Sequence, residues 1–146
     1  MSGYVQGIYE PQRPNKYKGK PPIIYRSSLE KRVFYLMDSN PDILEWGSES
    51  IVVPYVSPVD SRVHRYFIDL DFKYKDSNGF IVKYLVEIKP YRQTLKPEKT
   101  VKKRMKTYLT ESYKYVVNLS KWEAATQWAK KNGYVFKIIT EKDMSL

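Results

Sequence analysis

The stretch His64-Arg65-Tyr66-Phe67-Ile68-Asp69-Leu70-Asp71-Phe72-Lys73-Tyr74-Lys75-Asp76-Ser77-Asn78-Gly79-Phe80-Ile81-Val82-Lys83-Tyr84-Leu85-Val86-Glu87-Ile88-Lys89-Pro90 reads as a β-hairpin carrying acids. From 66 to 75, Tyr66, Ile68, Leu70, Phe72 and Tyr74 alternate with Phe67, Asp69, Asp71, Lys73 and Lys75, the period of a half-buried strand. From 80 to 89, Phe80, Val82, Tyr84, Val86 and Ile88 alternate with Ile81, Lys83, Leu85, Glu87 and Lys89. A two-residue Asn78-Gly79 loop would pair Asp69 with Ile88 and set acids against the apolar face. A three-residue loop of Ser77, Asn78 and Gly79, with Gly79 left-handed, instead pairs Ile68 with Ile88, Leu70 with Val86, Phe72 with Tyr84 and Tyr74 with Val82. Because a slip of one residue turns a whole strand over, the agreement of all four pairs selects the second register. Asp69 then lies opposite Glu87, roughly 5 Å apart at Cβ, with Lys89 on the same face.

Carboxylates facing each other across a sheet repel, and Asp71 adds to the repulsion. Lys89 offsets one charge. Clustered carboxylates on a rigid scaffold are also what a hard divalent cation such as Mg²⁺ requires, with water and phosphate oxygens completing its shell. The competing account is an exposed strand face with ordinary charge alternation, screened by Lys73 and Lys83.

A length of 146 residues fits one domain with a single core. The 26 Lys and Arg against 16 Asp and Glu leave a net charge of +10, which suits a polyanionic partner. With no long apolar run, that partner is expected to be nucleic acid rather than a membrane. The 14 tyrosines offer rings that can stack on bases, although most are expected to pack in the fold. The absence of cysteine excludes disulfides and thiolate metal sites. No signal-peptide apolar region is visible, so a protein of a reducing compartment is expected.

Residues 1–24 hold Pro11, Pro14, Pro21 and Pro22 among Tyr4, Tyr9, Tyr17, Lys16, Lys18 and Lys20, which predicts an extended N-terminal arm and not a helix. It could be disordered, wrap the domain, or lie along DNA. Ser27 and Glu30 have capping-box spacing, and Leu29, Val33, Leu36 and Met37 form a helical stripe that Asn40-Pro41 ends. A turn over 41–46 leads to a strand over 50–56, with Pro54 suited to an edge. His64, the single histidine, fits a structural role better than a catalytic one. Beyond Pro90, Arg92, Gln93, Thr94 and Lys96 make a basic loop. Pro97 is expected to open a helix with Val101, Met105, Tyr108 and Leu109 inward and Lys99, Lys102, Lys103, Arg104 and Lys106 outward. That basic side is either a solvated face or a guide for a nucleic-acid backbone. A short strand over 115–117 follows. A helix over 120–131 comes next, with Trp122, Ala125 and Ala129 inward and Gly133 as its left-handed cap, then a strand over 134–139 placed parallel to an existing one. The whole reads as α/β, a mixed β-sheet flanked by helices.

Tyr25-Arg26-Ser27-Ser28 with Glu30, Asp38-Ser39-Asn40-Pro41, Trp46-Gly47-Ser48-Glu49, Ile51-Val52-Val53-Pro54-Tyr55, His64-Arg65-Tyr66 and Val86-Glu87-Ile88-Lys89-Pro90 resemble the phage head-completion nucleases of the T-even type. These are TnsA-like endonucleases of the PD-(D/E)xK superfamily. The resemblance runs from about Pro11 to Glu141 and implies a restriction-endonuclease-like core over 25–146, preceded by the 1–24 arm. It implies a metal-dependent DNA endonuclease with Asp69, Glu87, Lys89 and Glu30 as catalytic residues. Asp69, Glu87 and Glu30 would be metal ligands for Mg²⁺, with Mn²⁺ as a substitute. One departure is that the family's Pro-Asp-Phe reads Ile68-Asp69-Leu70 here, and Asp71-Phe72 offers an alternative match that would make Asp71 the ligand. Arg92, Gln93, Lys99, Lys102, Lys103, Arg104 and Lys106 would then contact DNA. The resemblance further implies portal, head or other head-completion proteins as partners, and a place in the virion or in the host cytoplasm during assembly. The competing function is a non-catalytic DNA-binding protein of the head or neck, against which the clustered carboxylates argue.

Overall fold

The computed structural model describes residues 6–144, so Tyr4 of the arm lies outside the described residues. In chain order the elements are β1 (Gly7–Tyr9), β2 (Ile23–Tyr25), α1 (Ser28–Ser39), β3 (Ile43–Gly47), β4 (Val52–Val56), β5 (Val63–Phe67), β6 (Leu70–Lys75), β7 (Ile81–Ile88), α2 (Met105–Asn132) and β8 (Val135–Ile139). A four-stranded sheet in the order β3-β6-β7-β8 forms the centre, antiparallel except for the parallel pair β7–β8. Successive residues of β7 serve opposite sides. Val86 packs with α1, β1, β2 and β3, while Leu85 packs with β4, β5 and α2. Burial on both faces explains why the end of this strand is an apolar run broken only by Glu87.

The β6–β7 hairpin has the expected register, with Leu70 opposite Val86, Phe72 opposite Tyr84 and Tyr74 opposite Val82. Its turn is the three-residue loop: Asp76 N–H donates to Phe80 O, the Asp76 carboxylate accepts from the Asn78 and Phe80 amides, and Gly79 sits at φ +84°. The single long strand from 66 to 75 is not observed. The chain breaks at Ile68-Asp69, because Ile68 N–H donates to Ile51 O at 2.9 Å and Ile68 O accepts from Glu49 N–H at 3.1 Å. Those bonds hold Tyr66 and Ile68 with β4 in one core, while Leu70 and Phe72 turn to the other. Ile68 therefore does not pair with Ile88. Proline at position 68 could not make the bond to Ile51, so the departure from Pro-Asp-Phe is matched by a backbone bond.

Ser27 caps α1 as expected, its Oγ accepting from Glu30 N–H at 3.1 Å, and Asn40 closes the helix. Of the alternatives for residues 1–24, the described part wraps the domain. Strands β1 and β2 pair, Tyr9 and Ile23 enter the core beside α1, and Tyr17 packs edge-on against Trp46 at 4.8 Å. Buried Asp38 anchors this segment, accepting from Tyr9 Oη at 2.8 Å, Gln12 N–H at 2.7 Å and Arg13 N–H at 2.9 Å.

The region after Pro90 departs most from expectation. Residues 97–104 are not helical, Val101 is fully exposed, and the predicted strand over 115–117 lies inside α2, one helix of 28 residues. Only its second half is buried, through Trp122, Ala125 and Ala129, and Gly133 caps it at φ +77°. The predicted inward residues Met105 and Leu109 are exposed.

Candidate active site

Asp69 occupies the junction where the chain leaves the β4–β5 ribbon for the central sheet. The β6–β7 ladder ends one pair short of it, so Asp69 and Glu87 are neighbours without a backbone pair between them. The Asp69 side chain turns onto β7 and its Oδ2 accepts from Ile88 N–H at 2.8 Å, which leaves Oδ1 outside that bond. Glu87 is only 6% exposed. Its Oε2 pairs with Lys89 Nζ at 2.9 Å, and its Oε1 accepts from the Tyr66 hydroxyl. Burial, and next the charge of Glu87, push the Asp69 carboxyl well above the usual carboxylate range, against the Ile88 amide and Lys89. The two carboxylates share this pocket with one lysine, which leaves an excess of negative charge, as at sites where a cation or a proton is taken up.

Glu30 reaches the same neighbourhood from the first turn of α1. Burial raises its carboxyl, Arg26 opposes the rise, and Glu49 and Glu87 add to it. Its Oε1 accepts from Arg26 N–H at 3.1 Å, so Glu30 closes the helix start and also adds a third negative charge felt by Asp69. Arg26 in turn bonds Glu49 Oε1 at 2.6 Å, and Glu49 stands at φ +54°, a left-handed conformation uncommon for a residue with a side chain. Burial and the adjacent Glu87 hold the Tyr66 hydroxyl far up in its protonated form, so at neutral pH it is a donor and not a base.

Among the described residues no three Asp, Glu, His or Cys side chains converge into a ready-made metal cage. The donor set fits Mg²⁺ in a different way, since that ion is commonly held by one or two carboxylates and keeps its waters until phosphate oxygens replace them. Asp69 and Glu87 are two such carboxylates with an excess of negative charge. The alternative ligand Asp71 is not brought to them. It stands opposite Leu85, bonds Ser50 Oγ at 2.7 Å, and its surrounding charges are Glu45 and Lys73. His64 is likewise committed elsewhere, bonded to Asp60 at 2.8 Å and tilted against Tyr55.

A cleft of about 1200 Å³ opens beside Lys89, between the loop after β7 and the exposed half of α2. Arg92, Gln93 and Lys103, three of the expected DNA contacts, line it, Lys103 pairing with Glu111 at 2.7 Å. Lys99, Lys102, Arg104 and Lys106 are solvent-exposed and do not line it; Lys99 and Lys102 lie in the non-helical stretch before α2, Arg104 is its N-cap and Lys106 is in its first turn. Lys96, Lys114 and Lys121 line it instead. Lys96 stood in the basic loop expected after Pro90, but sequence reasoning missed Lys114 and Lys121, together with Tyr66 and Glu49 as neighbours of the acids. The spacing of seven between Lys114 and Lys121 is the available signal, and it becomes visible only when α2 is read as one helix.

The TnsA-like endonuclease N-terminal family model matches residues 40–141, which contain Asp69, Glu87 and Lys89. The chain is 40% identical over 139 residues to the head completion nuclease of Enterobacteria phage T4, covering 92% of this chain and 90% of that protein. No solved structure matches.

Proposed function

Because this chain belongs to the TnsA-like endonuclease family, we propose that it is a divalent-metal-dependent nuclease that cuts phage DNA during head completion, after packaging. The observation that carries this reading is the pairing of half-buried Asp69 with buried Glu87, with Lys89 on the second acid and a basic cleft beside them. Phosphodiester hydrolysis needs a positioned water, stabilisation of charge on the phosphoryl oxygens, and help for the leaving oxygen. Asp69 and Glu87 would hold Mg²⁺, or Mn²⁺ in its place, with Glu30 as a further ligand or as the group that positions water. When bound, such a cation polarises the phosphoryl oxygen and favours ionisation of a water. Lys89, fixed by Glu87, would orient the attacking water with its ammonium and offset charge as it develops. Arg92, Gln93, Lys96, Lys103, Lys114 and Lys121 would guide the backbone, and the wider +10 charge would draw DNA to the cleft. Portal or other head proteins are the proposed partners in assembly.

Plasmid DNA incubated with the protein in Mg²⁺ and in EDTA tests this. Nicking in Mg²⁺ alone, abolished by Glu87→Gln, is the expected result. Nicking that persists in Glu87→Gln would reject this site. Tight binding with no cutting by the parent would replace the enzyme with a DNA-binding head protein.

A further inference from the structure

Glu87 is gripped from the side away from its own strand. Tyr66 belongs to β5 in the separate β4–β5 ribbon, is 4% exposed, and donates its hydroxyl to Glu87 Oε1 while Lys89 holds Oε2. The outer face of the Tyr66 ring is covered in turn by Lys121 of α2, whose Nζ lies 5.4 Å from the ring centroid and 5.8 Å from that of Tyr55. Lys121 also lines the cleft with Lys89. One carboxylate therefore joins β7, β5 and α2, and the last link in that chain faces the basic cleft.

Resting on the nuclease reading, we propose that Tyr66 is a positioning residue that fixes the Glu87 carboxylate, and that Lys121 couples it to the nucleic-acid backbone in the cleft. A buried carboxylate held at one oxygen by a lysine can still turn about its last torsion. A second donor on the other oxygen removes that freedom, and a partner of this kind behind a metal ligand commonly accounts for 10- to 100-fold in metal affinity or activity. The Lys121 ammonium is attracted by the negative faces of the two tyrosine rings, which holds it at the cleft wall where a phosphate can reach it. A phosphate bound there would sit on the group that caps Tyr66.

The test uses the full-length protein as Tyr66→Phe, Lys121→Met and Lys121→Arg, with the parent and Glu87→Gln as controls. Three readouts are taken: plasmid nicking rate at saturating DNA, DNA affinity in EDTA, and the Mg²⁺ concentration at the midpoint of the metal-induced rise in melting temperature without DNA. For Tyr66→Phe the nicking rate should fall about tenfold or more and the Mg²⁺ midpoint should move up by about tenfold, with DNA affinity unchanged within about twofold. A residue that only packs would leave that midpoint where it is. Lys121→Met should weaken DNA binding and also slow nicking at saturating DNA, and Lys121→Arg should restore both. A parent-like rate and midpoint for Tyr66→Phe overturns the positioning role. Lys121→Met with a parent-like rate at saturating DNA overturns the coupling, and this arm decides the outcome if Tyr66→Phe does not fold. A parent that does not cut, or a Glu87→Gln that does, sinks the nuclease reading and this inference with it. Failure of the variants beside sound controls sinks this inference alone.

Discussion

Removing Lys89 should destabilise the metal-free protein, whereas neutralising Glu87 should not, although both stop cutting. Lys89 Nζ lies 2.9 Å from Glu87 Oε2, with side-chain exposures of 20% and 7%. Breaking a buried ion pair by deleting one partner costs about 3–5 kcal/mol, and the partial exposure of Lys89 favours the lower end, about 3 kcal/mol. For 146 residues the unfolding entropy is about 0.3 kcal/mol/K, so Lys89→Ala should melt about 10 °C below the parent in EDTA. Glu87→Gln keeps the oxygen that accepts from Tyr66 and removes one negative charge from beside Asp69 and Glu30. Relief of that repulsion offsets the lost pair with Lys89, whose ammonium can still reach water, so the change should stay within about 1 kcal/mol, or about 3 °C. Thermal melting in EDTA at neutral pH, followed by circular dichroism, measures both. A Lys89→Ala variant that melts with the parent, or a Glu87→Gln variant that falls as far as Lys89→Ala, would refute the picture of excess negative charge restrained by one lysine. Loss of activity without loss of stability, as expected for Glu87→Gln, marks a group kept for function.

Metal-free stability should depend on pH with two opposed limbs. The Asp69 carboxyl is raised on folding, so its ionised form weakens the fold above that raised value, and stability should climb as the pH falls through it. Asp38 is lowered: burial works against its charge, but the bonds from Gln12, Tyr9 and Arg13 prevail, so its contribution is lost as the pH falls below the ordinary aspartate value. Melting from pH 7.5 down to about 3 should therefore show a rise and then a collapse, with Asp69→Asn removing the rise. Asp38→Ala should cost about 3 kcal/mol or more, since it orphans two backbone amides and a tyrosine hydroxyl at once. In DNA binding, neutralising Lys96 and Lys114 should reduce the salt slope by about 0.9 per lost phosphate contact, and more than neutralising Lys99 and Lys102, which do not line the cleft. Equal slopes for the two pairs would move the DNA path off the cleft.

What was legible in the sequence was local. The Asp76-Ser77-Asn78-Gly79 turn sets its own geometry through side-chain and backbone bonds, so the register that brings Asp69 beside Glu87 could be read without the rest of the fold. The start of α1 at Ser27 and the cap at Gly133 rest on equally local chemistry. The break at Ile68-Asp69 was hidden because the residues on either side of it are apolar in the same alternation, yet they serve two different cores. Only the distant bonds to Glu49 and Ile51 make the chain cross over. In α2 the run Tyr115-Val116-Val117 carries strand propensity that is weaker than the cooperativity of a helix anchored by Trp122, Ala125 and Ala129. The lysines that face the cleft could not be chosen from those that do not while that helix was divided into separate elements. Strand β3 is short, and its Trp46 is buried against Tyr9 and Tyr17 of the wrapped N-terminal segment, whose place was left open by its prolines.

We propose that Asp69, and not the nearby Asp71, is the acid that works with Glu87. The structure turns Asp69 onto Ile88 and Glu87, and gives Asp71 to Ser50 on another part of the sheet. Asp69→Asn and Asp71→Asn, assayed side by side for Mg²⁺-dependent nicking of plasmid DNA, separate the two most directly. With Asp69 in that role, cutting should be lost in Asp69→Asn, with DNA binding in EDTA retained, and should stay within about threefold of the parent in Asp71→Asn, a difference of under 1 kcal/mol. Cutting that survives in Asp69→Asn and disappears in Asp71→Asn would contradict it.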